Sequence, residues 1–275
     1  MLDNLSLLVQ APFLNIQLLM DGMLVGSIFA LAAYGLALVW GVMNVKNLAQ
    51  GDFVMIGGYI AVTCAQSGLH PIFSLPIAIV LMFGFGWITY HLIISRVIHR
   101  DMFTSLLATF GLALFLAQVM NLIWGPDVQV AESGMEVGSY FDDNVTVSNI
   151  KLVAFLLAGC LAGAIVLFMR NSRMGQAIRA TAQDPRAAKV MGIDTEKVYA
   201  ATFGINAALC GIAGACIAIT FTLHPYTGLP YTVRSFMIVI IAGLGNLPAV
   251  AISGMGLGIF EEWADYLLGT EFRIA

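Results

Sequence analysis

Asn47, Gln50, Asp52, Asn206 and Asn246 are polar residues set among long apolar runs. Four amides and one carboxylate suit the handling of a solute better than bond-breaking. They can exchange hydrogen bonds with a passing zwitterion without holding it tightly. Polar and ionisable groups at membrane depth face a bundle interior or a water-filled cavity, and mark a path by default. Each can also serve as an interhelical hydrogen bonder. No HExxH, GxSxG, or close Ser/His or Asp/Asp pair on one span is present, so an enzyme is not expected. His70, His91, His99 and His224 are far apart in sequence, with no metal-ligand spacing. Cys64, Cys160, Cys210 and Cys216 lie in apolar runs without a CxxC and read as small buried hydrophobes.

A second group of residues carries a different chemistry. The segment 170–197 holds six of the twelve Lys and Arg residues and separates two apolar runs. Within it, Asp184 is a good N-cap and Pro185 suits the first helical position. Arg186, Ala188 and Lys189 follow, and Gly192 can take the left-handed stop conformation. A helix of about seven residues does not hold itself in water, so it should lean on a partner.

The elements that position these groups are membrane helices. The 275 residues are 60% hydrophobic and 10% charged, against about 25% charged in a soluble domain. The net charge of −4 is segregated by side, and nothing in it points to nucleic acid. Six spans are expected: Leu18–Trp40, Phe53–Ala65, Pro71–Ile94, Leu106–Trp124, Ile150–Met169 and Val198–Leu223. Gly22, Gly26 and Ala30 on the first, and Gly159 and Gly163 on the fifth, allow close helix approach. The sixth reads as interrupted by Asn206, Gly211 and Gly214.

Two places break the pattern. Phe53–Ala65 is thirteen apolar residues, about 20 Å of helix, too short for a core of about 30 Å. Part of Asn44–Asp52 should supply the missing depth, as polar backbone inside protein or against a cavity. The alternative is a tight turn and a short tilted span. Near the C-terminus, Ser235–Gly245 is half a bilayer long and ends in Gly243, Gly245 and Pro248. That predicts a discontinuous, re-entrant helical hairpin with Ala249–Leu268; the alternative is one kinked helix. Basic loops lie on the cytoplasmic side. Placing Lys46, Arg96–Arg100 and 170–197 there leaves the chain's start outside. The loop 125–149, with five acidic residues and no Lys or Arg, then also lies outside. That loop admits a small hairpin lid. The tail after Leu268 should be external. All of 1–275 reads as one all-α polytopic transmembrane domain.

Three motifs together resemble one family, the permease subunits of bacterial ABC importers for branched-chain amino acids. The cytoplasmic signature stands here as Gly175, Arg179, Ala180, Ala182, Asp184, Ala188, Gly192 and Ile193. The early one is Gly26-Ser27-Ile28-Phe29-Ala30-Leu31, then Lys46-Asn47-Leu48-Ala49-Gln50-Gly51-Asp52. The late one is Ala242-Gly243-Leu244-Gly245-Asn246-Leu247-Pro248-Ala249, then Ser253-Gly254. Gln50 stands where the family pattern has His, and Asp52 where it has Glu. The pattern also continues into one more apolar helix and an Arg-Pro-x-Gly-like tail. This sequence stops at Ala275 without them.

The resemblance implies a multi-pass protein of the bacterial inner membrane that binds no cofactor itself, and no Walker A pattern occurs. It implies a second homologous permease, two cytoplasmic ATPases that use ATP and Mg, and an external substrate-binding protein. Gly175, Arg179, Ala180, Asp184, Pro185, Arg186, Ala188 and Gly192 would form the coupling element. Relatives of this type also move urea, amides and small organic acids. An ion-coupled secondary transporter is the alternative from another class.

Overall fold

A computed structural model describes residues 12–98, 100–131, 137–140, 145–243 and 245–269. The helices are α1 (Pro12–Met43), α2 (Gln50–Gln66), α3 (Ser74–Thr89), α4 (Met102–Trp124), α5 (Asn149–Asn171), α6 (Arg173–Gln183), α7 (Pro185–Val190), α8 (Thr195–Thr220), α9 (Gly228–Ala242) and α10 (Leu247–Leu268). A 3₁₀ turn at Pro71–Phe73 leads into α3, and a π turn at Tyr90–Ile94 extends it inward. Among the described residues, the two strands fall in the acidic 125–149 connection. There β1 (Val137–Tyr140) pairs antiparallel with β2 (Val145–Ser148), Val137 opposite Ser148.

Five helices among the described residues are long and apolar enough to cross a membrane: Phe13–Met43, Ser74–Val97, Met102–Trp124, Lys151–Asn171 and Thr195–Thr220. Their burial separates centre from rim. The apolar windows of α1 and α8 are 94% and 89% buried, those of α3, α4 and α5 33%, 22% and 17%. The rim helices carry exposed Leu, Ile, Phe and Val, such as Val80, Leu107, Phe115 and Leu156. Those faces suit lipid, since α-helices satisfy their own backbone there.

Glycine decides how closely the central helices approach. A methyl group at Gly214 would overlap the Val54 carbonyl, and one at Gly57 would strike the backbone of Gly211. These residues therefore do not interrupt α8, which runs unbroken to Thr220; they seat α2 against it. Gly22 and Gly26 of α1 meet Gly258 and Gly254 of α10 in the same way. On the fifth span the expected packing is absent: nothing lies within 4 Å of where a Cβ would stand at Gly159 or Gly163. Cys160, on the same rim helix, is exposed rather than buried, and Cys64 is half-buried.

The contacts fix chain direction. Phe29 meets Tyr231 and Trp40 meets Phe236, so α9 runs parallel to α1. Gly22 and Gly26 meet Gly258 and Gly254 in reverse order, so α10 runs back along α1. Hence α9 and α10 form an antiparallel pair rather than one kinked helix. The turn between them holds Gly243 and Gly245 at φ +80° and +82°, a region that favours glycine, with Pro248 in the first turn of α10. The Leu268 end of α10 lies toward the Pro12 end of α1.

Candidate functional site

Helix α1 stops at Met43. Asn44 takes the left-handed conformation (φ +54°) and its N–H donates to Trp40 O at 3.0 Å. Asparagine is among the few residues that tolerate this stop. The chain then climbs back into the bundle without helix, with Val45, Asn47 and Ala49 buried. Its stray backbone groups are met by two threonines. Thr109 of α4 donates to Lys46 O (3.1 Å) and accepts from Leu48 N (3.2 Å). Thr232 of α9 donates to Leu48 O (3.1 Å) and accepts from Gly51 N (2.8 Å). Irregular backbone at such depth is tolerated only when satisfied this way.

Helix α2 therefore begins at Gln50, level with Ala32 of α1 and Asn206 of α8, both near the middles of their helices. Gln50 Nε2 donates to Ala32 O (2.8 Å) and Asn206 Oδ1 (2.9 Å), with Cys210 Sγ 3.0 Å away. Asn47 Nδ2 donates to Gln50 Oε1 at 3.3 Å, and Asn47 Oδ1 accepts from Ala49 N at 3.1 Å. Asn47, Gln50 and Asn206 are completely buried. Asn206 Nδ2 has no partner among the described residues. Gly35 leaves the room that Asn206 fills.

Asp52 sits two residues on, 5% exposed, against Gly228 at the start of α9; a Cβ there would strike its carboxylate. The first turns of α2 and α9 thus face each other in mid-bundle. Asn246 does not join the group. It lies in the α9–α10 turn, exposed, and its side chain accepts from Ala249 N at 3.4 Å as a weak cap on α10.

Beside this junction lies an ion pair. Arg234 of α9 donates through Nε to both oxygens of Glu261 of α10, at 2.8 and 3.0 Å. Each residue is 9% exposed. The guanidinium lies over the rings of Phe29 (4.9 Å) and Tyr231 (5.5 Å). Removing one partner of such a buried pair costs about 3–5 kcal/mol, because the other charge is stranded.

At the opposite end of α1, a cavity of about 220 Å³ opens among α1, α5, α6 and α10, with Arg170 and Arg179 in its wall. Here the basic segment folds as a two-helix elbow. Ser172 caps α6 by accepting from Gly175 N (2.8 Å), and Gly175 lies directly against the Phe168–Met169 backbone. Arg179 donates to Met169 O, tying α6 to the end of α5. Ala180 O accepts from Asp184 N at 3.2 Å. Asp184 Oδ1 then accepts from Arg186 N (2.8 Å) and Ala187 N (3.0 Å), with Pro185 at the first position of α7. Gly192 ends the elbow at φ +84°. Ala188 is the buried residue of α7, while Val190 and Met191 project at 87% and 81% exposure. Asp194, cap of α8, is held below the usual carboxylate range by its bonds to the Lys197 side chain and N–H.

A family model described as the permease component of branched-chain amino acid transport systems matches residues 18–274. The chain belongs to this family. It is 28% identical over 272 residues to LivH of Escherichia coli K12, a high-affinity branched-chain amino acid transport system permease protein, covering 94% of this chain and 88% of that one. BraD of Pseudomonas aeruginosa, of the same description, is 26% identical over 94% of this chain and 89% of its own. A probable LivH of Methanocaldococcus jannaschii is 27% identical over 93% of this chain and 83% of its own. No solved structure matches. The matched relatives are transport permeases, not enzymes, and this permease-family chain is a multi-pass membrane protein.

Arg234 and Glu261 were missed by sequence reasoning. Arg234 ends the stretch HPYTGLPYTVR, which reads as an interfacial turn. The usable signal was a lone Arg inside Gly228–Ala242 and three acidic residues, Glu261, Glu262 and Asp265, in Leu247–Leu268 with no basic residue of their own.

Proposed function

We propose that this chain is the transmembrane permease subunit of an ATP-binding-cassette importer for branched-chain or related neutral amino acids in the bacterial inner membrane. The observation that carries this reading is the elbow: a capped, one-and-a-half-turn helix that shows its apolar residues outward. Such a short helix gains its stability from a groove in another protein. A cytoplasmic ATPase supplies that groove, with a second permease alongside and a substrate-binding protein outside. The partner ATPases hold the ATP and Mg.

The six full spans of this reading are the five long helices plus α2, which begins in mid-bundle. The re-entrant character of the α9–α10 pair belongs to this reading, with Gly243, Gly245 and Pro248 as its hinge. Motion of α7 passes through the Arg179–Met169 bond into α5. It reaches α8 through Gly192 and Asp194. That moves the helices around Asn47, Gln50, Asp52 and Asn206, which line the path, and switches access from outside to inside. Asn246 stands apart from them, in the exposed α9–α10 turn.

The test is the complex reconstituted with its companions in proteoliposomes. ATP hydrolysis should rise when leucine-loaded binding protein is added, with leucine accumulating inside. Uphill uptake by this chain alone on a proton or sodium gradient would overturn the proposal.

A further inference from the structure

The Arg234 guanidinium is fixed along one edge only. Nε is held by Glu261, while the two terminal NH₂ groups meet no acceptor among the described residues. Phe29 and Tyr231 lie against the guanidinium, 4.9 and 5.5 Å from its centre. Arg234 lines a cavity of about 190 Å³ bounded by Phe29, Phe221, Thr222, Thr227, Pro230 and Tyr231. Thr222 is exposed and belongs to the α8–α9 connection, so the cavity reaches the bundle's outer end while its floor is nine-tenths buried.

We infer that this cavity is a subsite for the α-carboxylate of a zwitterionic neutral amino acid, gripped by the free NH₂ groups of Arg234 with Glu261 as the positioning residue. The inference rests on the importer reading above. A guanidinium fork matches a carboxylate in plane and spacing, and this one has donors left over. Donors that open on the cavity are available to an entering carboxylate, and a charge-assisted bond to one is strong. Glu261 already balances the charge, which keeps the grip weak enough for release. The Thr222 and Thr227 hydroxyls offer acceptors for the ammonium group. Phe29, Phe221 and Pro230 present apolar wall to an aliphatic side chain. The volume lies below the 300–1,000 Å³ of drug-sized pockets, so the solute is small.

The test compares three versions of this chain in the complete importer: unaltered, Arg234→Lys, and the double variant Arg234→Gln with Glu261→Gln. The double variant strands no charge, and the lysine keeps the charge but loses the fork. Both should assemble and keep ATP hydrolysis stimulated by loaded binding protein, while leucine imported per ATP falls about tenfold or more. Unchanged leucine per ATP in both overturns the subsite and leaves the importer reading standing. An unaltered complex with neither stimulated hydrolysis nor leucine uptake overturns that reading, and the subsite with it. A second measurement leaves Arg234 in place and is decisive if the variants fail to assemble. Thr227→Cys, with Cys64 and Cys160 changed to Ala, is labelled in the complex with anionic sulfonatoethyl or cationic trimethylammonium-ethyl methanethiosulfonate. Faster reaction of the anionic reagent, slowed by millimolar leucine, is expected. Equal rates or no protection overturns the subsite.

Discussion

The basic elbow and the mid-bundle junction are built on opposite principles. In the elbow, α6 and α7 are closed by bonds between near neighbours: Ser172 to Gly175, Asp184 to Arg186 and Ala187, Arg179 to Met169. It keeps its shape while offering Val190 and Met191 to the outside. In the junction, Gly51 and Thr232 meet across 181 residues, and Gln50 and Asn206 across 156. Besides the local bond from Ala49 N to Asn47 Oδ1, the irregular segment 45–49 is held by threonines from two other helices. A part that transmits force can be locally rigid and outward-facing. A part that must open can be assembled from pieces that separate when helices slide.

Substitutions can break this contrast. The largest effect is expected from Gly214→Leu, because the added side chain meets Val54 backbone that cannot yield. Overpacking against yielding neighbours costs about 1–3 kcal/mol, and this site should exceed that. Monodisperse protein recovered in detergent should largely vanish, while Gly163→Leu on the open rim should leave it unchanged. Next comes Arg179→Glu. The chain should insert and assemble, but loaded binding protein should no longer raise ATP hydrolysis; unchanged stimulation would remove Arg179 from the coupling element.

A smaller effect is expected from Val190→Ser with Met191→Ser. Both residues are exposed, so the melting temperature of the purified chain should stay put while ATPase binding weakens several-fold. Asp52→Asn comes after that. Leucine uptake should slow or change its preference among neutral amino acids with the complex intact; unaltered kinetics would take Asp52 off the path.

The smallest effect concerns pH. Asp194 has its folded pKa lowered, so its contribution is complete above its ordinary value of about 3.9 and fades as pH falls through the lower folded value. Asp194→Asn should lower the melting temperature slightly at pH 7, and the difference should close once the pH has fallen through the folded value.

Legibility followed the same division. The α7 cap, its proline and its stop glycine were readable because capping joins residues two or three apart. The close approach of Gly22 and Gly26 was readable because small residues four apart share a face, although their partner α10 was not. Phe53–Ala65 was rightly too short; the added length came from within Asn44–Asp52, as a climbing, threonine-supported segment and residues 50–52 of the helix, with Gln66 added at its far end. The Gly211 and Gly214 pattern misled, since a glycine that lets two helices touch looks the same in one dimension as one that breaks a helix.

The sequence by itself determined a membrane bundle with its basic elbow on one side, because apolar run length, charge placement and capping are properties of neighbouring residues. Only the tertiary structure decided that α2 and α9 begin face to face in mid-bundle and that Arg234 finds Glu261. Those pairings depend on how glycine-seated helices stack, and the sequence spacing of the partners carries no trace of it.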